Sequence, residues 1–559
     1  MRGRALLATI CCAASVAIFF RYQICNHFTE LFSNRYDGLI VLAILEHWHN
    51  FFSGLSGWSR TNFFYPFSGA LGYQDGYFAN GVFYSAFRTL GIDPFLASEL
   101  TNMVLRAVGF AGAYLACRRV FGLEFGWSLF AAALFTISSS SFDHAAHIQL
   151  LSISFAPLMA VLLDGAFWAL LSGRGKALLV WGLATNLLFA VWLMTGYYMA
   201  WYFLYFTAAA LAIAVALSGK EARWNLLLAL RRQVLPLVVI VILALVVNLP
   251  FLSLYLPKLS QSGPQSYADA MVYAATPLDI ANVSPRNLLY GRVVMVLHDL
   301  IAPTLPPFSE RTTGIAAILL FLFGCAVMGL WTGRSMSAPL VKAMAGAVVL
   351  TWATVLQIDG HSLWYFVYHV VPGAKALRGT GRYQIFLAAP VIVIGVHYLS
   401  SNARRILPPI LFMICALLVI EELGDGGAVI NQPYEFASLA LDRPHELSRL
   451  NAVPPPPGRC KVFFASAARG EEGGDVAWDD AYGPNVDSML IAEYRHLPTI
   501  NGLGAILPPG ARFFAPEKPS YLRAVASFVA LHHITGLCAL NLQSLRWDTA
   551  PQLAPPQRG

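Results

Sequence analysis

Arg231-Arg232-Gln233-Val234-Leu235-Pro236-Leu237-Val238-Val239-Ile240-Val241-Ile242-Leu243-Ala244-Leu245-Val246-Val247 sets two guanidinium groups before an apolar run that meets no charge until Lys258. A bilayer core about 30 Å thick takes roughly 20 apolar residues of helix to cross. A run this long and this free of charge reads as a transmembrane helix, and the paired arginines mark its cytoplasmic end. Similar runs start near residues 5, 95, 125, 148, 177, 199, 312, 339, 383 and 406. With the quoted one they make about eleven candidate spans by that length rule.

The whole chain agrees with this local reading. Of 559 residues, 57% are hydrophobic and 12% charged, and the mean hydropathy is +0.59. A soluble domain carries roughly 25% charged residues, so lipid is the solvent for much of this chain. The net charge of +7 is not gathered into a basic stripe of the kind that binds nucleic acid, and no nucleic-acid partner is expected. The charge falls instead in alternate loops. Arg118/Arg119, Arg174/Lys176, Lys220/Arg223/Arg231/Arg232, Arg334/Lys342 and Arg404/Arg405, with Arg2 and Arg4, set fourteen basic residues against two acids, Glu124 and Glu221. Placing this set in the cytoplasm satisfies the positive-inside rule at each crossing. The N-terminus is then cytoplasmic, and residues 21–94, 257–311, 357–382 and 423 onward are outside. The first run, Ala5 to Phe20, also has the basic start and shortness of a signal peptide, but no A-x-A site follows, so it reads as an uncleaved helix.

The expected architecture is an α-helical polytopic membrane domain, residues 1–422, that includes the outer loop 21–94, followed by a small α+β domain, residues 423–559, on the outer side. The tail is long enough for such a domain. Cys460 and Cys538 lie in it, and in an oxidising compartment they are a candidate disulfide. The remaining six cysteines lie in or beside apolar runs, where a thiol behaves as a small hydrophobe. Within the spans, Glu99 and Arg106 are seven apart on one helix face and are expected to seek a common partner, while Asp164 lies near a cytoplasmic end.

Four outer clusters carry the polar chemistry. Asn34-Arg35-Tyr36-Asp37-Gly38 precedes a stretch, Leu39 to Phe52, that reads as an interfacial helix. It would hold Asp37 at the height of a lipid phosphate. On residue type alone Asp37 reads first as that helix's N-cap. Asn62-Phe63-Phe64-Tyr65-Pro66-Phe67, followed by Gln74-Asp75-Gly76-Tyr77, is either a sugar-stacking wall with Tyr65 and a second carboxylate, or loop packing with Asp75 in a turn. In Asp143-His144-Ala145-Ala146-His147 the two histidines would share a helix face and suit a phosphate or, with further ligands, a divalent metal. In Leu377-Arg378-Gly379-Thr380-Gly381-Arg382, two guanidinium groups on the outer side run against the charge bias. They are either phosphate ligands or snorkelling anchors.

In this order, Asp37 after the first span, the aromatic loop, the His-bearing loop, the Leu-Arg-x-x-x-Arg element and the outer tail together resemble the GT-C glycosyltransferases, and among them bacterial YfhO-like membrane proteins. The tail segments Asp487-Ser488-Met489-Leu490-Ile491-Ala492 and Pro498-Thr499-Ile500-Asn501-Gly502 add to the likeness. The resemblance implies transfer of a sugar from a polyprenyl-phosphate carrier to a glycan, lipid or protein acceptor, at the outer face of the cytoplasmic membrane. It implies Asp37 as the catalytic base or a metal-linked acid, with Asp75, His144 and His147 as secondary polar groups; Arg378, Arg382 and Tyr65 are expected around the same substrate as phosphate ligands and sugar-stacking wall. Many relatives place Asp or Glu where the two histidines are prominent here, which leaves a divalent metal open as a cofactor. A lipid or sugar flippase and a non-catalytic assembly protein are the rival readings. The first would need paired interrupted spans, and none is evident.

Overall fold

The computed structural model describes residues 2–144, 147–301, 310–332, 339–424, 440–469 and 476–553. The chain is a mostly helical, multi-pass membrane protein. Among the described residues, seven helices are long and apolar enough to cross a membrane: Arg2–Phe19, Pro94–Arg119, Phe125–Phe142, Ile148–Leu171, Gly175–Thr195, Tyr197–Leu217 and Thr380–Arg405. The other four expected positions also hold helices. Three are short, Ala317–Leu330, Pro339–Val355 and Pro408–Ile420.

The fourth is the apolar run after Arg231 and Arg232, and it is broken twice. Lys220–Arg232 and Val234–Val247 meet at 73°. Pro236 has no N–H for the Arg232 carbonyl, which stops the ladder at Gln233. A new helix, Leu249–Ser262, then begins at Asn248 with Pro250 in its first turn. Hydropathy alone could not see these breaks, because proline leaves the apolar count intact.

Glu99 and Arg106 take different partners. The Glu99 carboxylate accepts from the Phe32 N–H at 3.2 Å. The Arg106 guanidinium instead donates to the Phe135 and Thr136 carbonyls, at the C-terminal end of the helix Phe125–Ile137, where a cation complements the helix dipole.

The helix Asp37–Phe52 does not lie along the membrane interface as expected. Leu39, Val41, Leu42, Ile44, Leu45 and Trp48 are each 1% exposed or less. It packs between the helix Phe78–Thr89 and the tail helix Val476–Arg495. Its polar residues are matched by protein rather than by water. Arg88 and Tyr84 donate to Glu46, and Asn50 donates to the Glu493 carboxylate at 3.0 Å.

The tail is α+β in composition. Strands Val462–Ala467 and Leu537–Asn541 pair in parallel, and Arg546–Asp548 adds an antiparallel edge. Cys460 and Cys538 form a disulfide with Cα atoms 5.6 Å apart, which joins the starts of the two parallel strands. The tail also knits into the first outer segment. Glu30 pairs with Asp442 and Asn34 with Ala440, Arg443 bridges Asp93 at 2.8 Å, and one apolar core runs from Val16 through Trp48 to Leu542.

Candidate functional site

Asp37 stands in the first turn of its helix, but it is not the cap. The position before it, Tyr36, makes no side-chain cap, and the chain enters the helix through Asn34, whose Oδ1 accepts from the N–H groups of Tyr36 and Asp37 at 3.1 and 2.9 Å. This is the local Asx arrangement that short amide side chains favour. The Asp37 carboxylate is therefore free to face outward from the turn. Its Oδ2 lies 3.7 Å from His147 Nε2, and its Oδ1 accepts from the Tyr482 hydroxyl at 3.4 Å. The Tyr482 ring packs 5.0 Å from that of Tyr36. Burial first, and then the Asp37 charge, hold the Tyr482 hydroxyl well above its usual range, so it remains a donor.

His147 Nε2 is also 3.2 Å from Glu310, and Glu310 is gripped by Arg382 through two parallel hydrogen bonds of 2.8 Å. Burial pushes the Glu310 carboxyl up, but Arg382 and His147 outweigh it and hold the group well below the usual carboxylate range. Exposure divides the cluster. The side chains of Asp37, His147 and Glu310 are 30%, 24% and 21% exposed, within reach of a substrate, whereas Arg382 is 8% exposed and supports them from behind.

The two arginines thus have different surroundings. Arg382 is committed to Glu310 and lies over the Tyr198 ring at 5.3 Å. Arg378 is exposed, 5.0 Å over the Tyr273 ring. Its backbone N–H is held by the Tyr198 hydroxyl at 2.9 Å, which fixes the direction in which the side chain leaves. Arg378 is close enough to Tyr482 to act on that hydroxyl electrostatically.

Asp75 approaches from the other side. Its Oδ1 accepts from the Tyr197 N–H at 2.9 Å, at the start of the helix Tyr197–Leu217, where a carboxylate complements the dipole. The approach depends on Gly76, since a Cβ there would stand 2.5 Å from the Met194 carbonyl oxygen. Burial raises Asp75, while the Tyr197 N–H, Arg382 and His147 act in the opposite direction.

His144 and His147 do not ride one helix. The helix Ser139–Phe142 ends before them and the next element begins at Ile148. The His147 N–H still bonds the His144 carbonyl at 2.9 Å, and the two rings stand 6.4 Å apart. His144 Nδ1 lies 3.0 Å from the Ser140 carbonyl oxygen. Burial lowers its pKa to about 4. The unfolded chain protonates a histidine near 6.5, so below that value the unfolded state binds the extra proton and stability falls until about pH 4. Replacing His144 with Gln is expected to flatten the loss of thermal stability between pH 6.5 and 4, measured in detergent. An unchanged slope would contradict the assignment. Asp143 turns elsewhere, toward Arg286 and Ser284, and burial raises it to about 7 against those two.

Tyr65 lies apart from this cluster. Its N–H bonds the Thr499 carbonyl in the segment tied to Asn62, Asn50 and Glu493. From Asp37 to Asn50 the helix alone rises about 20 Å.

Glu310, Tyr482, Tyr198 and Asn34 were not singled out from sequence. Glu310 had one signal, an acid at the outer mouth of a span, and nothing in the sequence pointed to its partner. A divalent metal fits these side chains poorly. Both Glu310 oxygens are taken by a guanidinium, and among the described residues no group of three or more His, Cys, Asp or Glu is placed to hold an ion.

No family model matches the chain, and no curated protein does. Among solved structures, the archaeal oligosaccharyltransferase AglB from Archaeoglobus fulgidus, in complex with an inhibitory peptide and a dolichol-phosphate, is similar at 14% identity over 95% of this chain and 69% of its own, with a TM-score of 0.44. The arabinofuranosyltransferase AftD from Mycobacteria is similar at 13% identity over 93% of this chain and 33% of its own, with a TM-score of 0.46. ArnT from Cupriavidus metallidurans in the apo state is similar at 14% identity over 89% and 85%, with a TM-score of 0.35. The chain thus spans about a third of the length of AftD.

Proposed function

We propose that this protein is a GT-C-type glycosyltransferase that moves a sugar from a polyprenyl-phosphate carrier to a glycan, lipid or protein acceptor at the outer face of the cytoplasmic membrane. The observation that carries the reading is the released Asp37 carboxylate. Asn34 holds the turn into the helix, and Asp37 faces His147 and Tyr482, the second within electrostatic reach of the exposed Arg378.

In this reading an acceptor hydroxyl meets Asp37, which takes its proton as the oxygen attacks the anomeric carbon. The bond from that carbon to the phosphate oxygen breaks, and its electron pair leaves on the lipid phosphate. Arg378 meets that growing charge. Tyr482 holds the Asp37 carboxylate in line, and Arg382 with Glu310 fixes His147 beside it. His144 and Asp75 shape the inner wall of the same site. Tyr65 would contact only a long acceptor or donor that reaches the far end of the Asp37 helix.

Arg378→Gln separates leaving-group binding from architecture. A hydrogen bond to a charged group contributes roughly 1.5–3 kcal/mol, so transfer is expected to fall about ten- to a hundred-fold while the unfolding temperature stays unchanged. Activity equal to the parent would remove Arg378 from the phosphate. The reading as a whole is tested in proteoliposomes holding a radiolabelled polyprenyl-phosphate sugar. Transfer of label to an acceptor supports it. Movement of the label between leaflets without transfer would identify a flippase, and neither event would leave an assembly role.

A further inference from the structure

The helix Tyr197–Leu217 starts at the Asp75 site and carries the chain about 30 Å away from it, to the opposite membrane face. There the chain turns into Lys220–Arg232, which meets the apolar helix Val234–Val247 at 73°, so that where Val234–Val247 runs into the bilayer Lys220–Arg232 runs along its surface. Its charged members are basic except Glu221. Lys220, Arg231 and Arg232 are exposed, and the adjoining turn adds exposed Arg174 and Lys176. That turn is held at the elbow because Gly173 and Gly175 lie against the Gln233 side chain. Glu221 is the single acid in the two segments. Arg223 is already engaged, donating to the Val215 and Ala216 carbonyls at 2.9 and 2.8 Å.

The apolar members are also uncovered. Trp224 is 56% and Leu227 51% exposed, while Ala229 packs inward on the small cluster with Leu170 and Leu178. A helix with basic and apolar members lying in the bilayer plane sits at the headgroup level. Beside the elbow is an open groove of about 410 Å³ whose walls are aliphatic, Leu230, Val234, Val238, Val241 and Ile242 among them, with the stem of Arg231 at its edge and the Arg231 side chain exposed.

We propose that this elbow binds one anionic glycerophospholipid of the cytoplasmic leaflet, with its phosphate on Arg231 and an acyl chain along the groove. The surplus of five uncommitted bases over one acid selects a lipid with net negative charge, since each base near the surface favours such a headgroup about five-fold. The aliphatic walls select a chain rather than a peptide or a soluble phosphate, and the site lies on the face away from Asp37, so it anchors and orients the protein without touching the transfer reaction.

The test is native mass spectrometry of the full chain in neutral detergent, with phosphatidylglycerol and phosphatidylethanolamine added at equal concentration. The parent is expected to retain several-fold more phosphatidylglycerol. Arg231→Gln should lower that adduct about five-fold and leave phosphatidylethanolamine unchanged. Val238→Trp, which fills the groove without altering charge, should lower both. Equal retention of the two lipids by the parent, or undiminished phosphatidylglycerol in both variants, would overturn the proposal. If one variant fails to fold, the other decides.

Discussion

Asp37→Asn is expected to lose roughly a thousand-fold in sugar transfer, within the range for a general base, while expression and unfolding temperature stay at the parent's values. The substitution keeps the shape of the side chain and an oxygen that can accept from Tyr482, and it removes only the basic carboxylate. It also separates the two readings of this residue. Asparagine caps a helix as well as aspartate does, so a residue that served only as a cap would tolerate the change fully. Here the Asx turn from Asn34 secures the helix in either case, and the loss must come from chemistry. Asp37→Glu should recover part of the activity, limited by displacement of the carboxylate along the extra methylene. Transfer measured at saturating donor distinguishes this from weaker binding.

The second large effect is on the pair behind the site. Glu310→Ala leaves the Arg382 guanidinium, 8% exposed, without its bidentate carboxylate. Removing one partner of a buried pair costs about 3 kcal/mol or more, because the remaining charge is stranded. A clear drop in unfolding temperature is expected, together with loss of transfer, since His147 loses its nearer carboxylate. The double variant Glu310→Gln, Arg382→Gln should be more stable than the sum of the two single changes predicts, because no charge is left unpaired. Additive losses would show that the pair is not coupled. The pH dependence has a definite sign. The folded-state value of Glu310 lies well below that of a free carboxyl, so its contribution to stability is fully present above about 4.5. It is lost only as pH falls through the depressed folded value.

Much of the membrane architecture was legible because it depends on summed properties. Apolar length located helices at all eleven positions, seven of them long enough to span among the described residues, and the outer clusters containing Asp37, His147 and Arg382 do meet. The rest depended on single long-range pairings. Tyr482 is 445 residues from Asp37 in the chain, and no periodicity predicts that a tail helix will cover the first outer helix. The stretch Leu39 to Phe52 read as an interfacial helix because water was the only partner for its polar residues visible in sequence. Glu493 supplies the protein partner instead, 3.0 Å from Asn50 and 3.7 Å from His47. The 73° elbow turned on one missing N–H at Pro236, which a hydropathy sum does not register.

In a structure of the protein with a non-hydrolysable polyprenyl-phosphate sugar analogue, the phosphate is expected within about 3 Å of the Arg378 guanidinium and the anomeric carbon is expected to face Asp37. A phosphate bound elsewhere, with Arg378 left in solvent and Asp37 turned from the sugar, would contradict these roles.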